Sequence, residues 1–417
     1  MKTAFRGKVL TACAGETTVR YLEDGLVVLD DQGRIDDVGR YSLDLARDVT
    51  VRDVRPWLVT PGFVDAHLHF PQTRVIGSAS GPLLQWLEST IFPEEARFVD
   101  VEYARTVALE LVQRLASAGT TTAVLYSSSS PSATRVLFET LAESGMRAVA
   151  GLTLMDQHCP EALRLPADRA LDAAAELAHA FHGYDRGRLA FAVTPRFAPT
   201  CSRVLLEGAA RLARDKELFV QTHISENADE VLTALDVHPW ANDYLDVYER
   251  TGLLGSRSLL AHAIHLSASE WDRIRKHDAC VVHCPDSNFF LGSGRHRLSE
   301  AKRRGIRVAM GTDVAAGRTF DVRRALSSAY DNALCLGDRV TPAELFRLGT
   351  LGGAEALGME ASTGSLERGK DADICLIELP DYVEGVVDVL SRVVFGSDTA
   401  PVREMYVRGK RLVLRQL

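Results

Sequence analysis

Two histidines, His67 and His69, flank a single leucine in the sequence PGFVDAHLHF at residues 61–70. The residues before them are apolar enough for a buried β-strand, on which successive side chains point to opposite faces. Both imidazoles would therefore point the same way, into surroundings where an unpartnered polar ring is costly. A bound metal ion would satisfy both rings, so the pattern predicts either a metal site or a structure other than a strand.

Further histidines and carboxylates stand at the ends of later apolar runs. LFVQTH ends at His223 and precedes Glu226, SLLAHA contains His262, CVVHC contains His283, and RVAMGTD ends at Asp313. Imidazoles with one carboxylate suit Zn²⁺ or Fe²⁺. A metal that keeps one position for water lowers the pKa of that water to about 7, so hydroxide exists at neutral pH. Glu226, three residues after His223, is the candidate general acid or base. The predicted metal ligands are His67, His69, His223, His262 and Asp313.

Eight apolar strands that alternate with helices would bring these distant residues together. The predicted strands are LVTPGFVDAHLH, TTTAVLY, RAVAGLTLM, LAFAVTP, LFVQTH, SLLAHA, CVVHC and RVAMGTD, with helices predicted over 101–119 and 169–183 among others. This alternation predicts the α/β class and a (β/α)₈ TIM-type barrel over 61–364, in which the carboxyl ends of the strands meet on one face. Short β-like runs in 1–60 and 365–417 predict a small β-sandwich domain built from both ends of the chain.

Composition limits the remaining function classes. The 417 residues carry a net charge of −8, which disfavours a nucleic-acid partner. No apolar run approaches the roughly 20 residues needed to span a membrane, and the first residues lack the apolar core of a signal peptide. Seven cysteines without a C-x-x-C pair are typical of reduced thiols, so we expect a cytoplasmic protein. The lack of a P-C-x-x-C run excludes the cytidine-deaminase type of zinc site.

Each candidate also has an ordinary structural explanation. A lone histidine on a strand is normally a core residue bonded to a carbonyl group, and Asp313 could simply cap the helix that follows. Cys284, next to His283, is expected to be structural because zinc–thiolate sites normally use more than one cysteine. Seven other histidines are expected to be surface residues: His158, His179, His182, His238, His265, His277 and His296.

Taken together, these motifs resemble the amidohydrolase superfamily and, within it, the guanine deaminases. The superfamily resemblance lies in PGFVDAHLH, HISEN, the histidines of the sixth and seventh strands, and GTD. The narrower resemblance rests on PGFVDAHLHFPQ, LLQWLESTIFPEE, VTPRFAPTCS, QTHISENADE, HCPDSNFFLGSG and GTDVAAG. The similarity covers nearly the whole chain.

The resemblance implies hydrolytic deamination of guanine to xanthine and ammonia, with one Zn²⁺ per chain, Fe²⁺ being the alternative. It implies that His67, His69, His223 and Asp313 bind the metal, with His262 as a ligand or a partner of the hydroxide. Glu226, Asp313 and His262 would be catalytic, and guanine would contact Gln72, Arg196 and Phe197. Trp86 and His283 are further predicted substrate contacts; His283 would bind the substrate or the hydroxide, with simple packing as its ordinary alternative. Arg196 could donate to the carbonyl oxygen O6, Phe197 could stack on the ring, and Gln72 could recognise a mixed donor and acceptor edge. The resemblance also implies a homodimer.

Three departures from the family pattern lie near the predicted site. Ala66 stands where relatives often have threonine, and Thr90-Ile91 replaces a common Tyr-Thr. Leu152 occupies a position where many relatives have lysine, and without that bridging lysine a single metal ion is favoured. The alternatives are a deaminase of a pterin, 8-oxoguanine or an aminotriazine such as ammeline, a binuclear ring-opening hydrolase, and a metal-free scaffold.

Overall fold

The computed structural model describes residues 2–13, 18–78 and 81–412, which form two β-sheets and the helices around them. The strands are β1 Lys2–Ala12, β2 Val19–Leu29, β3 Ile35–Arg40, β4 Val49–Pro61, β5 Phe63–His69, β6 Thr120–Tyr126, β7 Arg147–Gly151, β8 Thr153–Leu154, β9 Leu189–Pro195, β10 Phe219–Ile224, β11 Ser258–His262, β12 Cys280–His283, β13 Val308–Met310, β14 Ile374–Ile377, β15 Val402–Val407 and β16 Lys410–Arg411.

The α-helices lie mainly between the strands of the second sheet. They are α1 Leu83–Trp86, α2 Phe92–Ala96, α3 Val101–Ala118, α4 Pro131–Ser144, α5 Ala167–Phe181, α6 Tyr184–Gly187, α7 Arg203–Asp215, α8 Ala228–Val237, α9 Tyr244–Thr251, α10 Ala268–Lys276, α11 Pro285–Phe290, α12 Leu298–Arg303, α13 Val322–Cys335, α14 Pro342–Arg347, α15 Gly353–Ala356 and α16 Gly385–Phe395. Within the described ranges no helix combines the length and apolar character needed to cross a bilayer.

The central sheet is a barrel of eight parallel strands, which confirms the predicted fold. Its order is β13-β12-β11-β10-β9-β7-β6-β5, and β8 continues the line of β7 beside β9. The two outer strands meet through backbone bonds from Asp313 to the carbonyl of His67 (2.8 Å) and from His69 to the carbonyl of Val314 (3.2 Å). Small and apolar side chains from all eight strands, such as Val64 and Val124, fill the interior as one buried cluster.

The first predicted strand is divided between the two sheets. Leu58–Pro61 belongs to β4 and pairs with β14, whereas the barrel strand begins at Phe63. Gly62 lies at the transition, where a Cβ atom would come within 2.0 Å of the Thr121 side chain. The close packing of this glycine against β6 separates two strands that the sequence presents as one apolar run.

The predicted helices are present with slightly different ends. The helix predicted over 101–119 spans Val101–Ala118, because Asp100 accepts bonds from the amides of Glu102 and Tyr103 at its start. Gly119, with φ of 83°, ends it in the left-handed conformation that favours glycine. The helix predicted over 169–183 spans 167–181.

Both ends of the chain form the second sheet, as predicted for the small β domain. Its seven strands run in the order β16-β15-β14-β4-β1-β2-β3. Arg147 at the start of β7 forms buried ion pairs with Asp371 (2.7 Å) and Asp373 (3.0 Å), which fasten the barrel to the segment that leads into β14. The domain limits at residues 60 and 364 stay predictions.

Candidate active site

Three imidazoles and one carboxylate meet where β5, β10 and β13 end. The Nε2 atoms of His69 and His223 are 3.1 Å apart. Asp313 Oδ1 lies 3.2 Å from His67 Nε2 and 3.4 Å from His69 Nε2. One ligand atom from each of His67, His69 and His223 falls within 4.8 Å of the others, and all three rings are buried. The predicted convergence of these distant residues is therefore present in the fold.

His262 and Glu226 lie beside this group. His262 Nε2 is 3.4 Å from Glu226 Oε2 and 3.7 Å from Asp313 Oδ2. Among the described residues, the Nε2 atoms of His67 and His262 are buried without a hydrogen-bond partner. Buried polar atoms of this kind call for an explanation, and a cation among nitrogen and carboxylate ligands supplies one. The donor set thus fits a divalent metal ion.

Hydrogen bonds at the opposite ring nitrogens orient two of the histidines. Nδ1 of His223 lies 2.6 Å from the carbonyl oxygen of Arg196, and Nδ1 of His262 lies 2.9 Å from Asn288 Oδ1. Since these oxygens only accept hydrogen bonds, each Nδ1 carries the proton and each Nε2 presents a lone pair to the cluster. Sequence reasoning missed Asn288, because its role depends on a contact between α11 and β11.

The backbone at the closing edge of the barrel fixes Asp313. Buried Asp65 accepts hydrogen bonds from the amide (3.0 Å) and the hydroxyl of Thr312, the residue before Asp313. Asp313 itself has φ of 53° and His262 has φ of 71°, both in the sparsely populated left-handed region. Such strain in non-glycine residues is concentrated at functional sites. Asp65 lies in the motif PGFVDAHLH, but its role was not predicted.

Burial and neighbouring charges set the protonation of the cluster. Burial lowers the pKa of His69 to about 4 and also lowers the pKa of His67, which favours the neutral, metal-binding form. Burial opposes ionisation of Asp313, but its electrostatic contacts with the imidazoles of His67 and His69 outweigh it and hold its pKa well below the usual range. Burial, helped by the negative charge of Asp313, raises the pKa of Glu226 to about 8. One carboxyl group is thus an anion and the other a proton donor at neutral pH.

A cavity opens beside the cluster, and the empty space in it amounts to about 370 Å³ when the open solvent at its mouth is included. Its walls include the predicted substrate contacts Gln72, Trp86, Arg196 and Phe197. The other lining residues are His69, Leu83, Leu87, His223, Glu226, Leu291, Asp313 and Ala316. The cavity therefore combines an apolar wall with the hydrogen-bond donors of Gln72 and Arg196 and with the candidate proton-transfer residues.

Glu95 connects the two polar substrate candidates. Its Oε1 accepts a bond from Gln72 Nε2 (3.0 Å) and its Oε2 accepts one from Arg196 Nη1 (2.5 Å). All three side chains are buried. Glu95 lies in LLQWLESTIFPEE, one of the segments that carry the family resemblance, but the sequence alone indicates no role for it.

Some histidines lie in places that the sequence did not suggest. His283 does not line the cavity, and its ring packs against His296 at 4.7 Å. The prediction that His238 and His296 are surface residues was wrong, because both are buried. His238 donates a hydrogen bond to the carbonyl oxygen of Ala198, and His296 donates one to that of His262. Each ring therefore provides a partner for a buried backbone carbonyl group.

Comparison with known proteins gives consistent results. A model of the amidohydrolase family matches residues 58–412. Guanine deaminase from Escherichia coli is 37% identical over 407 residues, covering 94% of this chain and 92% of that protein. A crystal structure of guanine deaminase from C. acetobutylicum with bound guanine in the active site has a TM-score of 0.93 and 30% identity, over 99% of this chain and 100% of that one. An adenosine deaminase structure from Xanthomonas campestris with bound zinc has a TM-score of 0.86 and 27% identity, over 100% of this chain and 94% of that one. The chain belongs to the amidohydrolase family.

Proposed function

We propose that this protein is a metal-dependent guanine deaminase that hydrolyses guanine to xanthine and ammonia. The observation that carries the proposal is the placement of the His67, His69, His223 and Asp313 group beside a cavity that presents Arg196 and Glu226. The likeness to guanine deaminases over nearly the full chain supports the same substrate.

The residues that would hold the metal are His67, His69, His223 and Asp313, with His262 beside them. We propose one Zn²⁺ per chain, with Fe²⁺ as the alternative; the zinc in the X. campestris relative supports this choice. When bound, the metal supplies a hydroxide nucleophile at neutral pH. Leu152, where a bridging lysine would be needed, is a buried apolar residue, which supports a single ion.

Two carboxyl groups would move the protons. Asp313, held ionised, can accept a proton from the attacking water molecule. Glu226, with its pKa raised to about 8, can deliver a proton to the ring nitrogen next to the carbon that carries the amino group. The amine then takes the proton held by Asp313 and leaves as ammonia, while the remaining hydroxyl proton returns to Glu226 as the new carbonyl group of xanthine forms, so the atoms and protons balance.

The cavity offers complementary contacts to a flat purine. Arg196 uses Nη1 to bind Glu95, and its remaining N–H groups can donate to the carbonyl oxygen O6 of guanine. Phe197 and Trp86 provide aromatic surface for the ring. The Nε1–H of Trp86 already donates to the carbonyl oxygen of Ser78 (2.9 Å), so Trp86 offers its aromatic surface rather than a hydrogen bond. Gln72 would recognise a polar edge. His283 does not line the cavity, and its contact with the substrate stays a proposal.

Ammonia release from a substrate panel tests the proposal on the purified protein. We expect turnover of guanine and little turnover of adenine, pterin or ammeline, together with about one metal ion per chain. If guanine fails while another compound is deaminated, the substrate assignment is wrong. A metal content near two per chain would instead favour binuclear chemistry.

We also propose a cytoplasmic location and a homodimer. The six cysteines from Cys159 to Cys375 form no disulfide, which supports a reducing compartment. The dimer rests on the family resemblance alone, and light scattering coupled to gel filtration would measure it.

A further inference from the structure

The carboxylate of Glu95 is buried beneath the cavity without lining it. It is 3% exposed, and its two oxygens contact two of the polar residues that line the cavity, Gln72 and Arg196. We propose that Glu95 is a positioning residue for substrate recognition, which holds Gln72 and Arg196 as one unit; this inference rests on the proposed function.

The first effect of Glu95 is on the amide of Gln72. Gln72 Nε2 donates to Glu95 Oε1 (3.0 Å), while Gln72 Oε1 accepts from the amide of Ala315 (3.1 Å). A flipped amide would place an acceptor against a carboxylate and a donor against an N–H group, so only one orientation is satisfied. The remaining N–H and lone pair of Gln72 are therefore presented in a fixed order.

The second effect is on the guanidinium of Arg196, which is 4% exposed. A buried cation is costly without a counter-ion, and Glu95 supplies one at 2.5 Å. The ring of Phe92 lies 5.2 Å from the guanidinium carbon, so the group is held on a second side. With Nη1 committed to Glu95, the other donors of the planar fork keep a defined direction.

The neighbouring residue Glu94 provides a matched control. Both glutamates lie on α2 and both are buried, but the side-chain partners of Glu94 are residues that do not line the cavity. Its oxygens bind Arg97 Nη1 (2.9 Å) and the hydroxyl of Tyr103. The same substitution at these two adjacent positions therefore separates loss of a buried carboxylate from loss of the connection to the cavity.

Steady-state kinetics of Glu95→Gln and Glu94→Gln test the proposal. The amide introduced by Glu95→Gln keeps the shape of the side chain, but its NH₂ group would face a donor of either Gln72 or Arg196. We expect the KM for guanine to rise about 10- to 100-fold in Glu95→Gln while kcat stays within about threefold. Metal content should stay near that of the wild type, while the melting temperature of Glu95→Gln should fall because buried Arg196 loses its counter-ion. Glu94→Gln should keep the wild-type KM. Glu95→Asp keeps the charge with a shorter reach and should give an intermediate KM.

A double-mutant cycle shows whether Glu95 acts through Gln72. Glu95→Gln should raise the KM for guanine by a smaller factor in a Gln72→Ala background than in the wild type, because one of the two partners of Glu95 is already absent. Fully additive losses, a wild-type KM in Glu95→Gln, or a fall in kcat alone would overturn the positioning role. Failure of the wild type to deaminate guanine would instead overturn the proposed function, and this inference with it.

Discussion

Replacing Glu226 by glutamine removes a titratable proton and keeps the shape of the side chain. Glu226 is 3% exposed, accepts a bond from the hydroxyl of Ser293 at Oε1 (3.2 Å), and places Oε2 3.4 Å from His262 Nε2. A glutamine keeps the acceptor for Ser293 and offers an N–H to the His262 lone pair. The variant should therefore fold and place its amide where the carboxyl group was.

The size of the effect follows from the proton that is lost. With a pKa of about 8, the carboxyl group is protonated about ten to one at pH 7, so most of the wild-type protein holds the acid form. A positioned general acid or base contributes about 10²- to 10⁴-fold to the rate, which corresponds to about 3–5 kcal/mol. We expect kcat to fall by that factor in Glu226→Gln, with little change in metal content.

The assay is ammonia release from guanine across a pH series, with metal analysis of the same samples. Because the acid form is lost above the raised pKa, wild-type kcat should decline as the pH rises past about 8. Glu94→Gln, which removes a buried carboxyl group away from the cavity, is the control and should keep the wild-type rate. A Glu226→Gln protein with kcat within threefold of the wild type would refute the assignment of proton transfer to Glu226.

Three further substitutions test the metal group and its surroundings. His67→Ala should lose both metal and turnover, as measured by elemental analysis and kinetics; retention of a full metal complement would contradict the ligand assignment. Asn288→Ala removes the acceptor for His262 Nδ1 and should cost about 10- to 100-fold in metal affinity or activity, whereas unchanged values for both would count against this orienting role. Burial raises the pKa of Glu230 to about 7, so its unfolded form ionises at lower pH than its native form. Stability should fall by about 3 kcal/mol between pH 4.5 and 7 from this group, and melting curves of Glu230→Gln should lack that decline.

The sequence was most informative where a histidine or a carboxylate lies at the end of a predicted strand. Eight apolar runs predicted the barrel, and the barrel rule then placed His67, His223 and Asp313 together. Parallel strands in a closed sheet leave few other places for their ends, so the position of these residues follows without knowledge of side-chain packing. The division of the first strand at Gly62 could not be predicted, because the apolar pattern continues across both sheets. Only the contact with Thr121 marks the change.

Residues that act through tertiary contacts were much harder to find. Glu95, Asn288 and Asp65 each bind a partner from a distant segment, and a sequence pattern carries no information on which partner a lone polar side chain meets. The wrong prediction for His238 and His296 has the same origin, because each is buried against a distant segment, at Ala198 for His238 and at His262 for His296. One usable signal was present for Glu95: two adjacent glutamates follow a Phe-Pro pair in LLQWLESTIFPEE, one of the segments on which the family resemblance rests.

The position of the metal group at the closing edge of the barrel connects fold and chemistry. β5 carries two candidate ligands and the segment after β13 carries Asp313, so the ligand set spans the two outer strands of the sheet. The same edge is joined by the Asp313–His67 backbone bond and by Asp65, which binds Thr312 across 247 residues of chain. Because ligands on both sides must be in place together, the arrangement that closes the barrel also assembles the donor set. Metal binding at this edge would therefore stabilise the closed barrel, in which the cavity and the proton-transfer groups hold their geometry.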